Sequence, residues 1–384
     1  MWRGKIPLTR KAFGPIHMNG MKNSAPGWRR AGAVLAAALT VIAPRPGTAG
    51  TAFVIKNGAT VLLAKNLDRP VGDGYVFINK RGVVKEAFAG TGAAPLRWTS
   101  KYGSVTFNQF GREFPLGGMN EQGLVIEELD GPAGYPPPDK RASLNELQWI
   151  QYQLDNHRSV KDVLRSDARV RISRLLLDLH FLVADRSGKA AVIEFARGRM
   201  VSYTGSDLPV RVLSEINYAE SVRYLNMHQG FGGERVVSNG PEPAERFVRA
   251  ATLLQDFIWP VQGILSDHAF SVLRSVEQAD TQWNIVYNIS RRVVFFKTRS
   301  HRRLKLIRLE ALDFGCPGPV LMLPVGTGAG WVLDGDFEPY DPKRNRTLLE
   351  TVLKKLEGLG TTPAIPAEVS RKMSDYPGTC FCRS

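Results

Sequence analysis

The chain has 384 residues, 43% of them hydrophobic and 23% charged. That balance excludes wholesale disorder, collagen and a protein of many membrane spans. The net charge of +15 would suggest a nucleic-acid binder, but eight of the positive charges fall within residues 1–49, which hold no Asp or Glu, leaving a moderate +7 for the rest. Cys316, Cys380 and Cys382 are the three cysteines, too few for a disulfide-dense scaffold or a four-cysteine zinc site.

The N-terminal 49 residues read as an address. Lys22, Arg29 and Arg30 precede an apolar run from Ala31 to Ala43, followed by Pro44-Arg45-Pro46-Gly47-Thr48-Ala49. A charged segment, an apolar segment too short to span a bilayer, and small residues at 47 and 49 predict an export signal cleaved after Ala49 rather than an anchor. The mature chain then begins at Gly50 in a periplasmic or secreted, oxidising setting.

Thr51–Asp68 alternates apolar and polar residues around Asn57-Gly58, which predicts a hairpin. Further strands are expected at Tyr75–Asn79, Ser104–Asn108, Gly123–Glu127, Phe181–Ala184, Ala191–Phe195, Trp283–Tyr287, Val293–Lys297 and Lys305–Leu309. Ser143-Leu-Asn-Glu146 reads as a capping box opening a helix to about Asn156. Pro243 opens a second, with Phe247, Ala250, Ala251 and Leu254 as its core stripe. Many strands and few helices without strand–helix alternation predict an α+β fold with large antiparallel sheets. Three regions are expected: 1–49 as extension and signal, 50–340 as the folded domain, and 341–384 as a C-terminal helix and tail.

The six histidines lack metal-site spacing and no glycine-rich phosphate loop follows a strand, so neither a metal nor a cofactor is expected. Cys380-Phe381-Cys382 could hold a soft metal or pair with Cys316, but its place at the chain end favours an unstructured tail. The basic run Arg299–Arg308 reads as a solvated hairpin face rather than a nucleic-acid groove.

Several segments carry a more specific signal. Gly50-Thr-Ala-Phe-Val-Ile with Lys65-Asn66-Leu67-Asp68 resembles the opening of the choloylglycine hydrolase / penicillin V acylase family of linear-amide C–N hydrolases. Trp98-Thr-Ser-Lys-Tyr-Gly-Ser, Gly117-Gly-Met-Asn-Glu-Gln-Gly-Leu124, Asn145-Glu-Leu-Gln-Trp-Ile-Gln, Ala190-Ala-Val-Ile-Glu-Phe195, Tyr218-Ala-Glu-Ser221 and Glu245-Arg-Phe-Val-Arg249 continue it in order. The resemblance implies a four-layer αββα N-terminal-nucleophile (Ntn) hydrolase whose first mature residue is a cysteine. Its thiolate attacks the amide, and its own α-amine, with an ordinary pKa of ~7.7–8.0, acts as base.

Carried over by position, Asp68 falls where the family holds the α-amine and Arg246 where it has its arginine. Lys65 stands where an arginine is usual, keeping the charge without the planar fork. Glu215, in Val212-Leu-Ser-Glu-Ile-Asn217, falls on an oxyanion asparagine, where a carboxylate would repel the developing charge, and Asn217 is a substitute only if the loop shifts. The second oxyanion position falls near Asp130. The largest departure is Gly50, which occupies the cysteine position and closes the thioester route. Thr51 has suitable chemistry, but it would need Gly50 trimmed away, and a residue one step along a strand faces the opposite way.

The expectation is therefore an exported acyl-amide hydrolase, weak or inactive, for conjugated bile salts, penicillin V or acyl-homoserine lactones. The alternative is a catalytically dead binding protein for such ligands. The partner expected is a small-molecule acyl amide, with no nucleic acid, no membrane after signal cleavage, and homo-oligomer formation left open.

Overall fold

Phe53, Ile55, Val61 and Leu63 lie on two strands, Ala52–Asn57 and Thr60–Asp68, joined by a turn in which Gly58 takes a φ of 53°. The first hairpin therefore forms where the Asn-Gly signal placed it, and glycine supplies the left-handed backbone. The structure is a computed structural model describing residues 50–88, 95–256, 265–327, 330–362 and 365–383. The expected cleavage after Ala49 lies outside the described residues.

The hairpin sits inside a six-stranded antiparallel sheet. In spatial order its strands are Val212–Leu213, Ala52–Asn57, Thr60–Asp68, Thr281–Asn288, Val293–Thr298 and Lys305–Arg308. A second, nine-stranded antiparallel sheet runs Arg199–Thr204, Ala190–Ala196, Leu179–Ala184, Val125–Asp130, Gly117–Asn120, Ser104–Asn108, Tyr75–Asn79, Leu321–Pro324 and Glu338–Pro339. Between the sheets, the Phe107 ring meets Phe296 at 5.3 Å, Trp283 at 6.2 Å and Tyr287 at 6.3 Å. All four are buried. This aromatic layer supplies much of the apolar area that the two sheets remove from water.

Helices cover the outer faces. Pro243–Gln255 and Leu265–Ser275 lie on the first sheet, and Glu146–Asn156 lies on the second. The layers are thus helix, sheet, sheet, helix: the strand-rich pattern implied the large antiparallel sheets, and the family resemblance implied the αββα sandwich. Strands buried on both sides explain why Ala52–Ile55 and Val61–Asp68 are buried continuously rather than alternately.

Two local expectations need correction. The first helix is capped by Asn145, whose side chain accepts from the N–H groups of Leu147 and Gln148, not by Ser143, which lies in the strand Ala142–Leu144. Asn145 is two residues closer to the first helical N–H groups. Glu146, freed from a capping box, is buried and accepts the N–H groups of Leu175, Leu176 and Leu177 at 2.7–2.9 Å.

The chain end is the second correction. Beyond the helices Pro342–Gly358 and Ala367–Asp375, Phe381–Cys382 pairs with the strand Val83–Glu86, and Cys382 is bonded to Cys316. Strand pairing and a covalent bond together order a terminus that sequence position alone marked as loose. The basic run is solvated at Arg299, His301, Arg302 and Arg303, but Lys305 turns inward over the Phe296 ring.

The disulfide spans 66 residues of sequence, and a loop of that length restricts the unfolded chain by up to about 4 kcal/mol. Cys382→Ser should therefore lower the unfolding free energy by about 2–4 kcal/mol, read from urea midpoints without reductant. An unchanged midpoint would mean that the tail adds nothing to stability.

Candidate active site

Strand alternation sorts the candidate residues onto two faces. Ala52 pairs with Lys65, and the Asn66 N–H donates to the Thr51 carbonyl at 2.9 Å, so Thr51 stands opposite Asn66. Asp68 lies two residues beyond Asn66 and shares its face. Thr51 and Asp68 therefore turn to one side, and Lys65 to the other.

On the first side they meet Arg246 from the helix Pro243–Gln255. Its Nη1 donates to Thr51 Oγ1 at 3.1 Å and to Asp68 Oδ2 at 3.4 Å, while Nη2 donates to Glu215 Oε1. Thr281 Oγ1 donates to the other Asp68 oxygen, Oδ1, at 2.5 Å. Thr51 and Asp68 have no solvent exposure, and Arg246 is 3% exposed. One guanidinium thus serves two carboxylates and a hydroxyl in a site nearly closed to water. Such a planar fork suits bidentate work as an ammonium would not.

Burial pushes the Asp68 carboxyl up to about 8; the Thr281 hydrogen bond and Arg246 oppose that, while Glu215 and Asp280 reinforce it. Ser214 follows Leu213, the partner of Ala52, and so continues the strand toward Thr51. Its buried hydroxyl, like Glu215 Oε2, has no hydrogen-bond partner among the described residues. Sequence reasoning passed over Ser214. Its position immediately before Glu215 in the Leu-Ser-Glu motif was the available signal.

Gly50 lies where the chain has no space for a side chain. A Cβ built there would stand 2.0 Å from the Asn66 carbonyl oxygen. That neighbour is strand backbone, which cannot turn aside as a flexible side chain would. Position 50 is therefore a glycine by geometry as well as by identity.

Lys65 does not join this group. It points between the sheets, where its Nζ lies 3.0 Å from Glu127 Oε2 and 3.1 Å from Glu128 Oε1. Burial disfavours its charge, but the two glutamates outweigh burial and raise its pKa. Arg69 completes the cluster at 3.4 Å from Glu128 Oε2 and 2.6 Å from Asp130 Oδ1. Tyr287 donates to Glu127 Oε1, and the Glu127 carboxylate fills the space that a side chain at Gly117 would need.

Of the expected site residues, the structure thus brings Asp68, Arg246 and Glu215 together, adds Thr51, and places Lys65 on the opposite face. Asp130 is held by Arg69, away from the Thr51 side, and Asn217 is exposed at the start of the helix Tyr218–Leu225.

Residues 99–322 match the family model described as linear amide C–N hydrolases, choloylglycine hydrolase family. The chain belongs to the choloylglycine hydrolase family. A penicillin V acylase of Pectobacterium atrosepticum is 25% identical over 301 residues, covering 66% of this chain and 80% of that protein. The solved penicillin V acylase from Agrobacterium tumefaciens superposes with a TM-score of 0.66 at 25% identity, covering 76% of this chain and 98% of that one. A variant of conjugated bile acid hydrolase from Clostridium perfringens shares the fold, with a TM-score of 0.58 at 15% identity and 76% and 97% coverage. The sandwich is accordingly the Ntn-hydrolase fold of this family.

Two outcomes follow from these charges. Lys65→Met leaves Glu127 and Glu128 buried without their shared cation, and should cost about 3–5 kcal/mol of stability in urea unfolding. A loss below about 1 kcal/mol would mean that Arg69 alone neutralises both glutamates.

The second concerns pH, in the chain that retains Gly50. Asp68 keeps its proton in the folded state to about pH 8, whereas an unfolded aspartate loses it near 3.8. The folded state therefore binds the extra proton between those values, and this residue's contribution to stability falls as pH rises through that window. Asp68→Asn should flatten the difference in urea midpoint between about pH 5 and about pH 8. An unchanged difference would show that Asp68 is ionised throughout.

Proposed function

We propose that this protein is an exported hydrolase of linear acyl amides, of the conjugated bile salt, penicillin V or acyl-homoserine-lactone type. It is weak or inactive while Gly50 heads the mature chain. The observation that carries the reading is the contrast at one end of the first hairpin: Arg246 and Asp68 are in contact in a buried site, yet position 50 has neither a side chain nor room for one. Covalent amide hydrolysis needs a nucleophile, so binding outlives catalysis in this state.

Other features support the same reading. The Cys316–Cys382 bond and the charged, apolar and small-residue order of the first 49 residues favour an oxidising destination outside the cytoplasm.

The test uses chain verified by mass to begin at Gly50, offered penicillin V, a conjugated bile salt and an acyl-homoserine lactone. Calorimetry should show saturable binding of at least one, and intact mass spectrometry no acyl adduct. Failure to bind any of the three would remove the acyl-amide assignment. An adduct on this form would overturn its inactivity.

A further inference from the structure

We propose that a cavity between the C-terminal helix Pro342–Gly358 and the segment after Asp68 binds a small anion rich in hydroxyl groups, of the sugar-acid or sugar-phosphate kind. The inference stands apart from the acyl-amide reading. Neither Arg246 nor any residue it touches lines this cavity.

Three parts of the chain enclose about 750 Å³. They are the segment Gly72–Tyr75, residues 298–300 at the end of the strand Val293–Thr298, and one face of the helix Pro342–Gly358. Two contacts hold the helix against the first segment: Arg344 Nε donates to Tyr75 Oη at 3.3 Å, and Lys355 Nζ meets Asp73 Oδ2 at 2.7 Å. These clamps lie about three turns apart, roughly 16 Å along the helix axis. Thr347, Leu348 and Thr351 face the space between them. On the opposite side, Trp283 Nε1 donates to the Gly72 carbonyl at 3.0 Å and Gln282 Nε2 to the Arg69 carbonyl at 2.9 Å, which ties the segment to the strand Thr281–Asn288. The walls are therefore set without a ligand, as binding sites usually are.

The charge inside is unbalanced toward positive. Asp73, the carboxylate on the wall, is already paired with Lys355, and Glu338 outside the cavity takes Arg344. Asp341 accepts the backbone N–H groups of Lys343 and Arg344 as the helix cap. Arg299 gives one N–H to the Ala279 carbonyl, but neither it nor Lys343 pairs with a carboxylate among the described residues. One of these cations comes from the hairpin and the other from the helix, so a phosphate or carboxylate between the walls would meet a planar fork and a point charge together.

Cations alone would take any anion, and the remaining lining narrows the choice. Tyr75 Oη accepts from Arg344 and keeps its own proton to donate. The Thr347 and Thr351 hydroxyls make no hydrogen bond among the described residues. Apolar side chains are few, chiefly Pro324 and Leu348. Most ligand cavities are largely apolar, so this lining marks a polar occupant. An acyl chain would displace water from these hydroxyls and give nothing back, whereas a chain or ring of hydroxyls replaces the water hydrogen bonds directly.

The experiment is calorimetry at low ionic strength on the chain that begins at Gly50, with glucose 6-phosphate, gluconate, glucose and inorganic phosphate as probes. At least one of the two sugar anions should bind saturably, at least about tenfold tighter than glucose or inorganic phosphate. The double variant Arg299→Ala, Lys343→Ala should weaken that binding at least about tenfold while leaving the urea midpoint in place, because both side chains are exposed. Thr347→Val with Thr351→Val should weaken the sugar anion and spare inorganic phosphate.

No saturable binding by either sugar anion would overturn the site. Glucose binding as tightly would remove the role of charge, and inorganic phosphate binding as tightly would leave an adventitious ion only. Undiminished binding by the Arg299→Ala, Lys343→Ala variant would put the ligand elsewhere. Binding of penicillin V, the conjugated bile salt and the acyl-homoserine lactone should be unchanged in that variant, and a parallel loss would show one shared site instead of two. If none of those amides binds while a sugar anion does, the acyl-amide reading fails alone.

Discussion

The pairing of Lys65 with Glu127 and Glu128 sets the terms for the rest of the molecule. The lysine comes from the six-stranded sheet and the glutamates from the nine-stranded one, and all three are buried. Charges cost too much to bury unless their partners are in place, so only arrangements that bring these strands together avoid a large penalty. Arg69, Asp130 and Tyr287 extend the same network along the gap. The aromatic layer around Phe107 joins the two sheets, but apolar contact is tolerant of sliding. The ion cluster supplies the register.

Committing Lys65 to that cluster leaves the other face of the same strand with Arg246 as the cation that touches Asp68 and Glu215. Burial raises the Asp68 pKa, and the neighbouring Glu215 carboxylate adds to that against the pull of Thr281 and Arg246. A helix-borne arginine, fixed by the Pro243 turn and the stripe Phe247, Ala250 and Ala251, thereby becomes the organising group of the site. Its fork reaches the last residue of the strand Thr60–Asp68, the residue before Ala52–Asn57 and the second residue beyond Val212–Leu213, which a lysine's single ammonium could not do with the same geometry.

Much of this was legible from residues alone. Period-two alternation located the first hairpin, and the strands Tyr75–Asn79 and Ser104–Asn108 fall at the expected bounds, because apolar alternation next to turn residues has few other solutions. Asp68 and Arg246 were recognisable through their motifs, and the structure joins them across 178 positions of sequence. The partners of Lys65 were not recognisable, since nothing in Val125–Asp130 announces that its glutamates lie opposite a lysine some 60 residues earlier. The capping residue was misplaced by two positions because Ser143 and Asn145 are both good caps, and only the strand ending at Leu144 decides between them. The ordered tail was hidden for a similar reason: a two-residue strand and one cysteine partner leave almost no periodic signal.

Which face a strand residue presents also decides what a sequence departure means. Read along the chain, glycine at position 50 is the loss of a nucleophile, and Thr51 is a neighbour pointing the wrong way. Read in three dimensions, the hydroxyl of Thr51 already lies against Arg246, while the glycine fills a place that the Asn66 carbonyl denies to any side chain. A residue one step along the chain faces the other way, so Thr51 and position 50 meet different surroundings. Lys65, on the face opposite Thr51, holds the two sheets together through Glu127 and Glu128. Glu215 is unfavourable beside an oxyanion but suited to the guanidinium of Arg246, which it meets. The departures at 50 and 215 thus act alike: each removes a part of the covalent route, while the buried cluster around Arg246 stays assembled.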